Sequence, residues 1–323
     1  MLKKHLWTIC YSIFLTAFTV YVMLDTFVIA RVYTEVPENI TSSIEETEAQ
    51  TNADSAEEIV TEEITTEPTT TEAEKNTTTQ IQTDNYYSDE NITITLTEYR
   101  EYNTVIYVAD VKLSSAEYLK TALARGAYGK NVTEKTSKMA SDNNAILAIN
   151  GDYYGAQERG YVLRNGVLYR NTVDRSKEDL VIYDDGSFEI INESKISANE
   201  LLQKGAKQIL SFGPALVIDS KISVNEGDEV GKAMSSNPRT AIGIIDELHY
   251  VLVVSDGRTR QSEGLSLLEL AEFMTTLNVK TAYNLDGGGS STMVFNGKVI
   301  NNPTTNGKNI SERSVSDIVY IGY

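Results

Sequence analysis

The sequence predicts an α+β domain with a mixed, mostly antiparallel sheet core and a few packed helices. A transmembrane helix and a disordered stalk are expected in front of it. Three observations carry this prediction. Short β-branched segments recur between Gly, Asn and Asp turns. Helical periodicity is confined to a few short stretches. Composition also shifts twice, dividing the 323 residues into 1–33, 34–85 and 86–323.

Residues 6–30 form one apolar run in which only Asp25 is charged. At ~1.5 Å per residue the run exceeds the ~20 residues that cross a bilayer. Lys3 and Lys4 precede it, so the N-terminus is expected in the cytoplasm. A cleaved signal has a shorter apolar core, about 7–15 residues, ending in small residues. Here Ala30 leads into Arg31-Val32-Tyr33. The expectation is an uncleaved signal anchor in the cell membrane, single-pass, with everything after Arg31 extracellular.

Residues 34–85 hold 14 Thr, 12 Glu, 2 Asp and one basic residue, Lys75. The segment carries −13 of the chain's net −18. It has no aromatic side chain, and so too little apolar surface to offset its ordering entropy. A self-repelling, extended spacer is expected.

Residues 86–323 carry 31 acidic and 24 basic side chains. Strands are expected at Ile92–Tyr99 and Thr104–Val111, then helices at Ser115–Arg125 and Thr133–Ser141. Ala145–Ile149 reads as a buried strand. Asn165-Gly166 predicts a type I′ hairpin between Val162–Arg164 and Val167–Tyr169. Asp184-Asp185-Gly186 turns Leu180–Tyr183 into Ser187–Ile191. A short helix over Ala198–Lys204 stops at Gly205. Ala241–Ile245 and Tyr250–Val254 are apolar and β-branched, as central strands are. Leu265–Leu277 has helical period up to Asn278. The last strands are Thr281–Leu285, Thr292–Phe295, Lys298–Ile300 and Val315–Ile321. No repeat of 20–50 residues interrupts the domain.

The residue inventory excludes several chemistries. The acidic balance argues against nucleic acid as a partner. The one cysteine, Cys10, lies in the apolar run, so the domain has no disulfide and no thiol nucleophile. Two histidines, His5 and His249, cannot build a zinc site that takes two or three. His249 starts a strand and reads as structural. Acid and base work falls to Asp and Glu, supported by Arg, Asn and backbone amides.

Four polar clusters border apolar strands: Asn150-Gly151-Asp152-Tyr153-Tyr154, Asn237-Pro238-Arg239-Thr240, Ser255-Asp256-Gly257-Arg258, and Asn284-Leu285-Asp286-Gly287-Gly288-Gly289-Ser290-Ser291. Each alone is an ordinary turn. The triple glycine can present successive amides to a ligand. It lacks the following Gly-Lys-Ser/Thr of a phosphate loop, and a strand follows where a dinucleotide fold needs a helix.

These clusters, with Ala241-Ile242-Gly243, the Leu265–Phe273 helix, Thr292-Met293 and Glu312-Arg313, resemble the phosphodiester glycosidase family from about residue 90 onward. Members include bacterial proteins of exopolysaccharide biosynthesis. Many members carry glycine where this chain has Asp152. The resemblance implies cleavage of the anomeric C–O–P bond of a sugar-1-phosphodiester in a cell-surface or wall polysaccharide. Such a reaction needs a carboxylate to activate water or steady an oxocarbenium-like centre. It also needs cations and amides to hold the departing phosphate. The candidate carboxylates are Asp286, Asp256 and Asp152. Arg239 is the expected phosphate clamp, helped by the amides of Gly287, Gly288, Gly289 and Ser290, and by Arg258 and Arg313. Asn150 and Asn284 are expected on sugar hydroxyls. Clustering of Asp152, Asp256 and Asp286 would instead suit Ca2+ or Mg2+. Two other readings stay open: a non-catalytic glycan-binding module stacking sugars on Tyr153, Tyr154 and Tyr161, and an exopolysaccharide assembly or transfer module.

Overall fold

The structure, a computed structural model, describes residues 2–35, 80–230 and 236–323. The expected stalk lies outside the described residues over 36–79. An α-helix spans Leu2–Phe27, and its Trp7–Phe27 portion is long and apolar enough to cross a membrane.

Among the described residues every strand pairing is antiparallel. The largest sheet has nine strands. Thr281–Leu285, Thr240–Asp246, His249–Ser255 and Thr104–Leu113 lie side by side at its centre. One five-stranded sheet holds Leu147–Asn150 between Met293–Phe295 and Asp317–Ile321. Another holds the hairpin Val162–Arg164 and Val167–Arg170 beside Ala206–Leu210. Its Asn165 and Gly166 take φ of 49° and 79°, as the type I′ turn requires.

The main core joins one face of the large sheet, including Ile242, Leu252 and Leu285, to Leu147, Ile149, Leu180, Leu210 and Val319 of the two smaller ones. On the other face Val251, Val253 and Ile106 pack under the helix Leu267–Thr276 through Leu270, Phe273 and Met274. Burial on both faces explains why the central strands read as unbroken apolar runs. The helix starts at Ser266, whose hydroxyl accepts from the Glu269 amide while Glu269 accepts from the Ser266 amide.

The helix expected over Ser115–Arg125 is a correction. The chain forms a 3-10 turn at Ala116–Tyr118, a strand at Leu119–Leu123 and a second turn at Ala124–Gly126. Leu119, Thr121 and Leu123 alternate inward along Asp317–Ile321, and that two-residue period outweighs the helix formers between them. Strand pairing also continues on the N-terminal side of Tyr86. Ile81–Gln82 pairs with Tyr87–Ser88, and Lys298 binds Asp84 at 2.8 Å.

His249 Nε2 sits 3.1 Å from Asp110 at the half-exposed start of its strand. His249→Gln should therefore leave turnover within about twofold and cost under ~1 kcal/mol. Thermal melting and steady-state rates check both.

Candidate active site

Antiparallel register assembles the site. Thr240 lies opposite both Leu285 and Val254. The residues just before Thr240, just after Leu285 and just after Val254 therefore share one sheet edge. Arg239, Asp286 and Ser255 arrive there from distant stretches of sequence. The Arg239 amide donates to Ser255 Oγ at 2.9 Å, locking two of the strand ends together. The strand Leu147–Asn150 adds the fourth cluster. Asn150 Nδ2 donates to the Asp286 carbonyl at 2.6 Å, and the Asp286 amide donates to the Gly151 carbonyl at 3.3 Å.

A pocket of about 310 Å3 opens at this edge, walled by Asp286, Arg239, Arg258, Arg313, Tyr153 and Phe212. A larger cleft of about 500 Å3, beside the helix Thr136–Asp142, holds none of the candidate residues.

Asp286 is the carboxylate in the pocket wall. Its Oδ2 accepts from Ser290 Oγ at 2.6 Å and from Arg313 Nη2 at 3.0 Å. Burial pushes its pKa above the ordinary range, against the pull of Arg313 and Ser290. Arg313 Nε also donates to Ser290 Oγ at 2.9 Å, closing a small network around the acid.

Arg258 donates to Asn237 Oδ1 at 2.9 Å and to the Thr305 carbonyl at 2.7 Å, both neutral. Burial lowers its pKa, and so do the neighbouring charges of Arg313 and Arg239. Arg239 bonds Glu229 at 2.6 Å and the Leu265 carbonyl at 2.8 Å. Among the described residues three guanidiniums meet two carboxylates here, an arrangement that favours an incoming anion. Gly288 has φ of 63°, and a Cβ there would lie 2.8 Å from Arg258 Nη2. Glycine therefore lets the loop lie against that guanidinium. The Gly288 amide donates to the Pro238 carbonyl at 2.8 Å and the Ser290 amide to Gly287 at 3.3 Å. These two amides hold the loop in shape.

The other candidate carboxylates stand apart. Asp152 is buried on Arg164 at 2.8 Å and takes the Ser211 amide at 2.8 Å. Asp256 accepts from the Asn302 amide at 2.8 Å and from Asn302 Nδ2 at 2.9 Å. Among the described residues no three His, Cys, Asp or Glu converge as a metal site. Asn150 and Asn284 are also buried. Asn150 Oδ1 accepts from Thr240 and Thr292, and Asn284 Nδ2 donates to the Gly213 carbonyl at 2.7 Å. Of the tyrosines expected to stack on sugar, Tyr154 and Tyr161 are core residues, while Tyr153 is 45% exposed at the pocket.

Residues 143–322, more than half of the chain, match the sequence model of the phosphodiester glycosidase family. The chain belongs to that family. Its relatives include the SPbeta prophage-derived uncharacterized protein YomE of Bacillus subtilis, 29% identical over 201 residues. That match covers 61% of this chain and 31% of the relative. The human N-acetylglucosamine-1-phosphodiester alpha-N-acetylglucosaminidase is 47% identical over 109 residues, covering 30% of this chain and 21% of that enzyme. The chain thus spans under a third of the length of these curated relatives.

Solved structures share the fold seen here. The zebrafish N-acetylglucosamine-1-phosphodiester alpha-N-acetylglucosaminidase catalytic domain, auto-inhibited by its pro-peptide, superposes with a TM-score of 0.57 at 22% identity. It covers 72% of this chain and 83% of that one. A hypothetical protein from Synechocystis gives 0.52 at 14% identity, covering 72% and 62%.

Three site features were not singled out in the sequence. Glu229 lies in Asn-Glu-Gly-Asp-Glu, which reads as a solvated turn, and nothing local marks it. Phe212 gives no signal either. Arg164 could have been found, because a two-residue period places it on the same strand face as Val162.

Proposed function

We propose that the chain is a membrane-anchored extracellular hydrolase of sugar-1-phosphodiesters in cell-surface or wall polysaccharides. The observation that supports it is one buried carboxylate, Asp286, set among guanidiniums beside an exposed aromatic ring. In this reading residues 6–30 are the anchor, and 86–323 is the catalytic domain, entered at Ile81.

The sugar sits against Tyr153, whose ring suits a sugar's apolar face. The phosphate lies on Arg258 and Arg313, with Arg239 behind them. Phosphate is already a good leaving group, so the departing oxygen needs charge neutralisation more than a proton. The Asp286 carboxylate, its pKa raised by burial, accepts a proton from water or steadies positive charge at the anomeric carbon.

The purified full chain should release reducing sugar from a sugar-1-phosphodiester. Turnover should survive EDTA, because Asp152, Asp256 and Asp286 have separate partners. Binding without release would favour a glycan-binding module instead. Transfer of the sugar to an added glycan at the expense of hydrolysis would favour an assembly role.

A further inference from the structure

The segment that leaves the N-terminal helix is already part of the folded domain. Arg31–Glu35 pairs antiparallel with Ala127–Lys130, placing Arg31 opposite Lys130 and Glu35 opposite Ala127. Val32 lies opposite Gly129, where a Cβ would fall 2.1 Å from the Arg31 carbonyl oxygen. Only glycine lets this strap lie so close. Asn131 Nδ2 donates to the Thr26 carbonyl at 3.1 Å and the Ile29 carbonyl at 3.2 Å, bonding the domain to the end of the helix.

The strap also packs onto the core of the domain. The Tyr33 ring lies 5.9 Å from Tyr128, which stacks at 5.5 Å on Tyr154, the residue after Tyr153 at the pocket. After residue 79 the chain reappears on the same domain, where Ile81–Gln82 pairs with Tyr87–Ser88.

A flexible spacer of the length of 34–85 would leave helix and domain on the order of 40 Å apart. The link actually built is Val28-Ile29-Ala30, which spans at most roughly 10 Å. The Thr/Glu-rich tract is then bypassed as a tether. A domain held this near a bilayer meets phosphodiesters in the headgroup layer before it meets distant polymer.

We propose that Arg31–Glu35 straps the catalytic domain to the membrane surface, and that the cell-surface glycans it cleaves are those held in the bilayer by a lipid, as amphiphilic sugar-1-phosphodiesters. This rests on the reading above that the helix is an anchor and that the pocket cleaves sugar-1-phosphodiesters.

The full chain, reconstituted in phosphatidylcholine–phosphatidylglycerol vesicles, tests both halves. In a Cys10→Ser background, Arg31→Cys with Lys130→Cys should cross-link through a short bis-maleimide. The same pair carrying Gly129→Val should not. Absence of the first cross-link would overturn the strap, whatever the activity.

Rates are then compared on a hexadecyl sugar-1-phosphodiester in the vesicles and a methyl one in solution. Local concentration should favour the hexadecyl substrate at least about tenfold in kcat/KM, and Gly129→Val should cut that advantage to under about threefold. Equal rates on the two, or an advantage that survives Gly129→Val, would overturn the membrane substrate. Cleavage of neither by the unaltered chain would sink the reaction assigned above and the substrate class with it, while the cross-link still judges the strap.

Discussion

Asp286→Asn should lower the single-turnover rate by about 10²–10⁴-fold, the range for a lost acid–base group, while the protein melts no earlier. The two expectations have one cause. Burial raises the Asp286 pKa, so the folded site disfavours the charge that the proposed reaction uses. A carboxyl raised on folding stabilises most when protonated, below its unfolded pKa. That contribution is lost as pH rises through the folded value. The asparagine variant should therefore gain stability relative to the parent as pH increases. The parent's activity should fall in the opposite direction, on acidification through the same folded pKa. A folded variant with a near-normal rate would remove Asp286 from the mechanism. Early melting with proportionate loss of activity would reduce it to a structural pair with Arg313.

Arg164→Met should destabilise the domain by about 3–5 kcal/mol, the scale of a buried ion pair broken from one side. That corresponds to a fall in melting temperature on the order of 10 °C. Arg164 is 2% exposed and bonds Asp152 at 2.8 Å and Asp317 at 2.7 Å. Burial and the charge of Asp152 already hold the Asp317 carboxyl well above its usual range, against Arg164. Without the guanidinium nothing offsets burial and the charge of Asp152 at the Asp317 carboxyl, and protonation of Asp317 is the relief. The deficit should therefore be largest above neutrality and shrink as pH falls. Melting curves at several pH values measure it. A loss under ~1 kcal/mol at every pH would mean that solvent reaches the cluster.

The sequence showed the site's ingredients more clearly than its division of labour. Asn-Pro-Arg-Thr before one apolar strand, and Asp-Gly after two others, marked strand mouths, and antiparallel pairing places such mouths on one edge. Composition could not say which acid faces the pocket. Asp152, Asp256 and Asp286 look alike in sequence. Arg164 and Asp317, which bury the first, and Asn302, which holds the second, come from remote segments. The Leu119–Leu123 strand was hidden for a similar reason, since its partner Asp317–Ile321 lies near the other end of the chain. The pairing of Arg31–Glu35 could not be read at all. Five residues carry little pattern, and the glycine that admits them sits on the opposite strand.

Asn150 couples three elements through one side chain, gripping the Asp286 carbonyl, the Thr240 hydroxyl and the Thr292 amide. That gives the pocket a rigid floor and a separable rim. The floor is fixed by strand ends whose register cannot slip without turning the core outward. Tyr153 and Phe212 rise from connecting segments, which tolerate change. Under the proposed reaction, a changed sugar preference should follow from varying those two positions together, because the grip on Asp286 runs through neither.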